Sequence, residues 1–346
     1  MCLKRSKSGK MKILIYTPAF YPSTGGLEAI NMIIADQLTI KGFDVVLITP
    51  EQNHLGDDKK KFKYQIVRDV GRSSLWKWYK WCDVFVHSVL SLNGIWPLLF
   101  YPKKWVVIHH TCNYYIWDQN KTIISRLKMF ASKLAVNIAV SNAVASYLDL
   151  PNVTVIKNAY NRELFTTINH CQRKGFVFVG RLVTEKGVSL LLNAYRSYCR
   201  RSESPYCLTI IGDGPEVDKL KQMANEYDVC FKGLLTGQLL VNELNKHACM
   251  IVPSVYNEAF GIVALEGLAC GCFCIGTDGD GVQEAIGECG VLFKKGDADD
   301  LALKMYEFEQ ATFNTQEYTA KVQKHLSHFT PEYVGTQYEH FFYCLK

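Results

Sequence analysis

The sequence lacks any long hydrophobic run, although 48% of its 346 residues are hydrophobic. No stretch approaches the roughly 20 apolar residues of a membrane span. The basic segment MCLKRSKSGK (1–10) is followed by MKILIYTP, which is typical of a first strand and not of a signal-peptide core. Short-period repeats and low-complexity tracts are also missing. We therefore expect a globular protein of the cytoplasm.

A cysteine framework is also missing, even though the chain has 13 cysteines. Cys272 and Cys274 are separated by one residue, and no second pair has the spacing of zinc ligands. Most of the others, such as Cys207, Cys249 and Cys270, lie in apolar segments and behave as small buried hydrophobic residues. This pattern favours reduced thiols over disulfides.

The excess of positive charge is modest, with a formal net charge of +6. It suits an anionic small molecule or an anionic membrane surface as well as nucleic acid. The segment SSLWKWYKWCD (73–83), preceded by KKKFKY (59–64), interleaves aromatic and basic residues. Such a segment is typical of a bilayer interface, and equally of a helix that buries its tryptophans and keeps its lysines in solvent. No motif for nucleic-acid binding accompanies it, so we expect no nucleic-acid partner.

Short apolar strands alternate with helical patterns along the whole chain, which predicts parallel sheets covered by helices. The predicted strands cover 12–18, 44–50, 82–88, 104–110, 136–141, 153–160, 175–182, 207–214, 249–255 and 272–279. The pattern stops at a polar, irregular segment (161–174), which we expect to link two doubly wound α/β domains at 1–160 and 175–328. Ligands of such domains bind near the carboxyl ends of the strands, here in a cleft between the domains.

Two carboxylates flank an apolar helix in NEAFGIVALEGLACG (257–271). The apolar spacing predicts a helix beginning near Gly261, with Glu258 in the preceding loop and Glu266 farther along the helix. This arrangement suits a polyhydroxylated ligand whose anionic part meets the helix N-terminus. A capped structural helix with one solvated glutamate would explain the same residues.

Several other positions have residue types that suit phosphate binding. Gly25 and Gly26, in PSTGGLEA (22–29), let backbone amides approach a phosphate at a helix N-terminus, although they form neither a dinucleotide fingerprint nor a P-loop. Arg181 and Lys186, in GRLVTEKG, are suited to a diphosphate. A tight turn and two surface charges are the alternatives.

Two further pairs end predicted strands. His109 and His110 are adjacent, so they point to opposite sides of their strand and at most one of them faces the cleft. Asp278 and Asp280 in TDGDG could be taken for a metal-binding pair. Because this stretch is glycine-rich and precedes a helix, we interpret it as a ligand-facing turn and expect no metal.

Seven segments in order resemble the retaining glycosyltransferases of family four, which have the GT-B fold. They are TPAFYPSTGGLEA, VVIHHT, VSNAVASYL, VIKNAYN, GRLVTEKG, IGDGPE and VPSVYNEAFGIVALEGLACG, the last followed by GDGVQEAIGECGVLF. The resemblance implies two Rossmann-like domains facing each other across a cleft. It also implies that the segment 329–346 is a terminal helix that crosses back to the first domain.

The resemblance assigns roles to individual residues. Glu258 would contact the hydroxyls of the transferred sugar, Glu266 the ribose, and Arg181 and Lys186 the diphosphate. The backbone amides of Gly25 and Gly26 would also bind the diphosphate, and His110, which Thr111 follows, would be the active-site histidine. Gly212 and Gly214 would lie near the base. Ala259, Phe260 and Gly261 would make backbone contacts under the sugar. Departures from the family's pattern at Lys157, Ala159, Asn161 and Asp280 leave the details of sugar recognition open.

The implied activity is transfer of a hexosyl group from a nucleotide-diphosphate sugar, UDP-sugar favoured over GDP-sugar, with retention and an α-linkage. The implied acceptor is a glycan or a lipid-linked acceptor in lipopolysaccharide O-antigen or capsule synthesis, at the inner face of the cell membrane. Neither a metal nor a cofactor is implied. A nucleotide-sugar epimerase of the same fold and a non-catalytic nucleotide-sugar-binding protein are the alternatives.

Overall fold

The computed structural model describes residues 9–23, 25–54, 56–111, 123–148, 150–168, 173–311 and 315–345. Most of the basic N-terminal segment, residues 1–8, lies outside this range. The chain divides into two compact units, one formed by Met1–Ala159 with Phe329–Lys346 and the other by Tyr160–His328.

The first unit is built on a parallel sheet with the strand order β3-β2-β1-β4-β5-β6-β7. Its strands are β1 Lys12–Tyr16, β2 Asp44–Ile48, β3 Gln65–Val67, β4 Val84–Ser88, β5 Lys104–His109, β6 Val136–Ala139 and β7 Thr154–Val155. The helices between them are α1 Gly26–Ile40, α2 Asp58–Lys61, α3 Arg72–Trp81, α4 Trp96–Phe100, α5 Ile123–Ser132 and α6 Asn142–Leu148. The strand succession reverses direction between β1 and β4, and a doubly wound sheet binds ligands at such a switch point.

The second unit has a parallel sheet with the order β10-β9-β8-β11-β12-β13. Its strands are β8 Phe176–Val179, β9 Leu208–Ile211, β10 Val229–Gly233, β11 Cys249–Val252, β12 Phe273–Thr277 and β13 Gly290–Phe293. Its helices are α7 Val188–Arg201, α8 Val217–Met223, α9 Gly237–Leu244, α10 Ile262–Ala269, α11 Asp280–Ile286, α12 Ala298–Gln310 and α13 Thr315–Leu326. Here the switch point lies between β8 and β11.

The last helix, α14 (Pro331–Cys344), returns to the first unit and packs against α1. Thr330 caps it by accepting a hydrogen bond from the amide of Tyr333. Lys41, at the end of α1, binds Thr336 and Glu339 of α14. The segment 161–168 packs within the second unit, where the Phe165 ring is buried.

Strand burial explains why the apolar runs form strands. Ile13, Leu14 and Ile15 of β1 are at most 2% exposed, as expected for a central parallel strand covered on both sides. Each predicted strand contains an observed strand, and the predicted class of two doubly wound α/β domains is confirmed. The strands β3, β10 and β13 were not among the predicted ones.

The aromatic-basic segment 73–83 forms most of α3. Leu75 and Tyr79 are buried, Trp76 stacks on Trp96, and Lys77 and Lys80 are exposed. This arrangement corresponds to the interpretation in which the aromatic rings pack on the core and the lysines remain in solvent.

Two findings concern the chain as far as the structure describes it. All ten cysteines in the described ranges are free, in agreement with the expectation of reduced thiols. No helix in those ranges is both long and apolar enough to cross a bilayer.

Candidate functional site

The predicted cationic residues of the second unit follow β8, next to the switch point. Arg181 comes two residues after the strand, is exposed, and forms no ion pair or hydrogen bond through its guanidinium within the described ranges. Lys186 ends a short 3-10 turn, Thr184–Lys186, directly before α7. Both cations therefore lie where the carboxyl end of a central parallel strand meets a helix, which is a common position for phosphate ligands.

Lys186 binds Glu258, which follows β11, the other strand at the switch point. The ammonium Nζ lies 2.5 Å from the carboxylate Oε2, and the two side chains are 29% and 20% exposed. The Ser254 hydroxyl donates a second hydrogen bond to the same oxygen at 3.1 Å. The pair joins two neighbouring strand ends and is partly withdrawn from water, so removal of either partner leaves a partly desolvated charge.

A glycine holds the two loops together beneath this ion pair. Gly187 has a φ of +71°, and a Cβ there would lie 1.9 Å from the carbonyl oxygen of Pro253. The Val255 amide donates to the Glu185 carbonyl at 3.1 Å beside this contact. The position of Lys186 opposite Glu258 thus depends on a close backbone approach that no other residue type allows.

Glu266 lies on α10, which begins at Ile262 with Gly261 as its N-cap, as the sequence predicted. Burial raises the pKa of this carboxyl to about 7. Within the described ranges its carboxylate has no hydrogen-bond partner or counterion. A half-buried acid of this kind can accept hydrogen bonds from ligand hydroxyls, which would favour its charged form.

The loop before α10 is fixed by the next helix. The Gly281 amide at the start of α11 donates to the Glu258 carbonyl at 2.9 Å. A Cβ on Gly281 would lie 2.3 Å from the Ala259 carbonyl oxygen and from the Phe260 Cα. The ring of Phe260 is buried, with 2% exposure. Two helix N-termini are therefore held against one short loop.

Gly212 and Gly214, which follow β9, pack against the segment that carries Arg181. Added Cβ atoms would lie 1.8 Å from the Gly180 carbonyl oxygen and 2.4 Å from the Leu182 carbonyl oxygen, respectively. The Leu182 amide donates to the Asp213 carbonyl at 2.9 Å. These glycines support the loop of Arg181, and their predicted proximity to a nucleotide base stays a prediction.

The Asp278–Asp280 turn carries an ion pair. The carboxylate Oδ2 of Asp280 lies 2.5 Å from Lys295 Nζ, and that ammonium also donates to Asn257 at 3.0 Å. The turn is thus fastened to the loop that precedes Glu258. This contact gives Asp280 a positioning role for the loop that carries Glu258.

In the first unit, the predicted His110 belongs to a polar network. Its Nε2 lies 2.9 Å from Ser88 Oγ, which donates to Asn31 Oδ1 at 2.5 Å. Asn31 Nδ2 in turn donates to Thr17 Oγ1 and to the Ala19 carbonyl. The network therefore joins residues that follow or end the three adjacent strands β1, β4 and β5.

The network fixes the tautomer of His110. Because the Ala19 carbonyl can only accept, Asn31 must present its oxygen to Ser88, and the single Ser88 proton is donated to that oxygen. Ser88 must then accept from His110 Nε2–H, which leaves His110 Nδ1 as an acceptor. Burial, with a contribution from His109, lowers the pKa of His110 to about 3. A neutral ring with so low a pKa is better suited to orienting a hydroxyl than to removing its proton.

His109 has a structural role. Its Nε2 lies 2.8 Å from Asn137 Oδ1, and the amide group of Asn137 donates to the Ser132 and Ala135 carbonyls. His109 is 4% exposed, and burial lowers its pKa to about 4. Of the two adjacent histidines, His110 is the less buried.

A cavity of about 360 Å³ opens near the carboxyl ends of β1 and β4. It is lined by Pro18, residues 89–93, and Ile124 and Lys128 of α5. Val89, in its wall, has a φ of +71°, which is rare for a β-branched residue and is often found at functional sites. The cavity could not be predicted from the sequence, because the unusual backbone angle of Val89 in its wall is not indicated by the residue type.

The predicted glycine loop lies at the start of α1. Gly25 is its N-cap and Gly26 its first residue. A Cβ on Gly25 would lie 2.4 Å from the Glu28 carboxylate, so this side chain folds back over the helix N-terminus. An anion that binds here would have to displace the Glu28 carboxylate.

A family model matches most of the second unit. Residues 165–325 are similar to the model for glycosyl transferases group 1. The match includes Arg181, Lys186, Glu258 and Glu266.

Individual relatives agree with this class. The chain is 31% identical over 179 residues to an uncharacterised glycosyltransferase of Methanocaldococcus jannaschii, covering 49% of this chain and 48% of the relative. It is 32% identical over 142 residues to N-acetyl-alpha-D-glucosaminyl L-malate synthase of Bacillus anthracis, covering 39% and 37%. The chain thus matches less than half the length of these curated relatives.

Among solved structures, the HepE protein of Anabaena in complex with UDP has a TM-score of 0.80 at 16% identity, covering 96% of this chain and 99% of that one. The same protein is also known in complex with UDP-glucose. This similarity extends over both units and confirms the predicted GT-B fold class.

Proposed function

We propose that the protein is a retaining glycosyltransferase of family four that transfers a hexosyl group from a nucleotide-diphosphate sugar. The observation that carries the proposal is the ion pair of Lys186 and Glu258 at the switch point, in the segment that matches the model for glycosyl transferases group 1. Arg181 lies on the same loop as Lys186, and its guanidinium has no partner within the described ranges. Two cations suit a diphosphate and a carboxylate suits sugar hydroxyls. We favour a UDP-sugar over a GDP-sugar, and the UDP complexes of the Anabaena neighbour support this choice.

In the proposed mechanism the bond between the anomeric carbon and the diphosphate breaks, and the acceptor hydroxyl forms the new bond on the same face of the sugar. The acceptor proton moves to the departing phosphate. Arg181 and Lys186 stabilise the negative charge that develops there, a role for which no metal is required. Glu258, which Lys186 and Ser254 hold in the free protein, binds hydroxyls of the donor sugar and is not the nucleophile of a double displacement. The product is an α-linkage.

For the acceptor we propose a glycan or a lipid-linked glycan of surface polysaccharide, lipopolysaccharide O-antigen or capsule. The cavity lined by Val89 is the candidate acceptor site of the first unit, and His110 is joined to Ser88, the residue before Val89. Lys128 in its wall suits an acceptor that bears an anionic group, such as a phosphate. His110 Nδ1 is the atom that would accept the acceptor hydroxyl's hydrogen bond.

A thermal-shift screen of UDP-, GDP- and ADP-sugars tests the donor assignment. Because a ligand that binds only the native state raises its stability, a donor at about 100 times its Kd adds roughly 2.7 kcal/mol to the unfolding free energy. We expect the largest rise in Tm with a UDP-sugar. No shift with any nucleotide sugar would contradict the proposed function, and release of an isomerised nucleotide sugar without an acceptor would indicate the epimerase.

Donor affinity should depend on pH through Glu266. Its pKa of about 7 means that the free protein is half protonated at neutral pH, whereas ribose hydroxyls favour the charged carboxylate. The Kd of a UDP-sugar should therefore fall as pH rises from 6 to 8, by at most about ten-fold per pH unit. An intact nucleotide sugar is the proper probe, because a terminal phosphate itself titrates near pH 6.

The control variants for this pH dependence are Glu266→Gln and the exposed Glu203→Gln. Calorimetric titrations at several pH values should give a flat profile for Glu266→Gln and the original slope for Glu203→Gln. A slope that survives in Glu266→Gln would remove Glu266 from the ribose site.

A further inference from the structure

Helix α5 exposes an apolar stripe that the proposed function does not use. Ile123, Leu127, Phe130 and Leu134 are 77%, 50%, 65% and 72% exposed. Ile123, Leu127 and Phe130 are spaced by four and three residues, which places them within a narrow sector of α5, because successive residues of a helix are about 100° apart. Leu134 lies in the turn that follows the end of the helix at Ser132. Soluble helices normally bury such a stripe. Here the buried residues are Ala131 and Ser132, which lie outside that sector.

Basic residues accompany the stripe, and the sequence that follows Ile123 lacks acidic residues. Arg126 is exposed and lies about 70° to one side of the stripe at 100° per residue, and the exposed Lys133 precedes Leu134 in the turn after the helix. The sequence from residue 123 to residue 148 contains no aspartate or glutamate. A helix with aromatic and aliphatic residues on one side and cations beside them is typical of helices that lie in the headgroup region of an anionic bilayer.

Helix α4 carries further exposed apolar residues. Trp96 and Leu98 of α4 pack on the same core cluster as Ala131 of α5, so both helices cover the same face of the sheet. Leu99, Phe100 and Tyr101, at the end of α4, are 81%, 73% and 57% exposed. The segment from residue 84 to residue 117, which includes α4, also contains no acidic residue.

We propose that the stripe Ile123, Leu127, Phe130 and Leu134, with Arg126 and Lys133, docks this protein on an anionic lipid bilayer. The apolar side chains enter the boundary between headgroups and acyl chains, and the two cations contact lipid phosphates. A second copy of the chain suits the surface less well, because a two-fold contact through α5 would bring the Arg126 and Lys133 side chains of both copies together without an acidic partner.

The docking surface lies next to the candidate acceptor cavity, because Ile124 and Lys128 of the same helix line that cavity. If the proposed function holds, this arrangement suits an acceptor whose sugar end enters the cavity while its lipid remains in the bilayer. Docking itself does not depend on that function and can be measured without a donor or an acceptor.

Co-sedimentation of the 346-residue chain with sucrose-loaded vesicles tests the proposal. We expect binding to phosphatidylcholine vesicles with roughly one-third phosphatidylglycerol, and weak binding to phosphatidylcholine alone. Arg126→Gln with Lys133→Gln should lower the partition coefficient about thirty-fold, since each cation near such a surface contributes a factor of about five. Leu127→Gln with Phe130→Gln should lower it by at least about ten-fold.

Matched variants come from the second unit. Leu239 is 66% exposed, and Arg201 and Lys221 are exposed cations, so Leu239→Gln and the pair Arg201→Gln with Lys221→Gln should bind like the unmodified protein. Equal losses in these controls, or full binding by both α5 variants, would overturn the proposal. A dimer by light scattering that Leu127→Gln converts to a monomer, without vesicle binding, would overturn it in favour of self-association.

Discussion

Replacing Arg181 by alanine is expected to lower the transfer rate roughly 10²- to 10³-fold while leaving the fold intact. The guanidinium is exposed and has no ion-pair or hydrogen-bond partner within the described ranges, so its loss should change the free energy of unfolding by less than about 0.5 kcal/mol. Its contribution would be made to the charge that develops on the leaving diphosphate. Steady-state transfer assays together with thermal unfolding measure both quantities.

Arg201→Ala is the matched control for this substitution. Arg201 is also exposed, but it ends α7, at the far end of that helix from Lys186. The control should retain full activity. A near-normal rate for Arg181→Ala would contradict the assignment of Arg181 to the diphosphate. A large fall in Tm would mean that the loss of activity comes from unfolding and not from the lost guanidinium.

Replacing Gly187 by alanine should lower stability strongly. Its φ of +71° by itself costs an alanine about 1–2 kcal/mol, and its Cβ would in addition lie 1.9 Å from the carbonyl oxygen of Pro253. Because the alanine Cβ and the Pro253 carbonyl oxygen are both held rigidly by the backbone, the loops that carry Lys186 and Glu258 would have to separate. Urea unfolding should show a much lower midpoint, and the shift in Tm on adding donor should disappear.

Gly233→Ala separates the two causes. Gly233 has nearly the same φ, +68°, but no atom lies within 4 Å of the position of an added Cβ. It should lose only about 1–2 kcal/mol and keep its response to donor. Equal losses at the two glycines would mean that the contact with Pro253 has no energetic importance.

The buried central strands were predictable because their sequences are continuous apolar runs. β11 (Cys249–Val252) is an example, and all of its residues are buried. The missed strands β3, β10 and β13 lie at sheet edges, and each is short or partly exposed. β10 contains Lys232 and Gly233 and is mostly exposed, so hydrophobic periodicity carries little information there.

The charged residues of the candidate site could be predicted from the sequence, but the neutral residues that bind them could not. Glu258 and Lys186 attracted attention because charged residues at strand ends need partners. Ser254 and Ser88 did not, because a serine is compatible with any loop or strand end and their roles depend on contacts between distant segments. The close approach of Gly187 to Pro253 joins residues 66 positions apart, which no local pattern encodes.

The contact of Lys186 with Glu258 has a consequence for turnover. In the free protein the Lys186 ammonium and the Glu258 carboxylate neutralise each other. A nucleotide without a sugar would draw Lys186 to its phosphates and would offer the Glu258 carboxylate no new partner in place of Lys186. An intact donor offers phosphate to one and hydroxyls to the other. Under the proposed function, the spent nucleotide therefore loses affinity at the moment the sugar departs, and the re-formed ion pair helps to expel it before the next donor arrives.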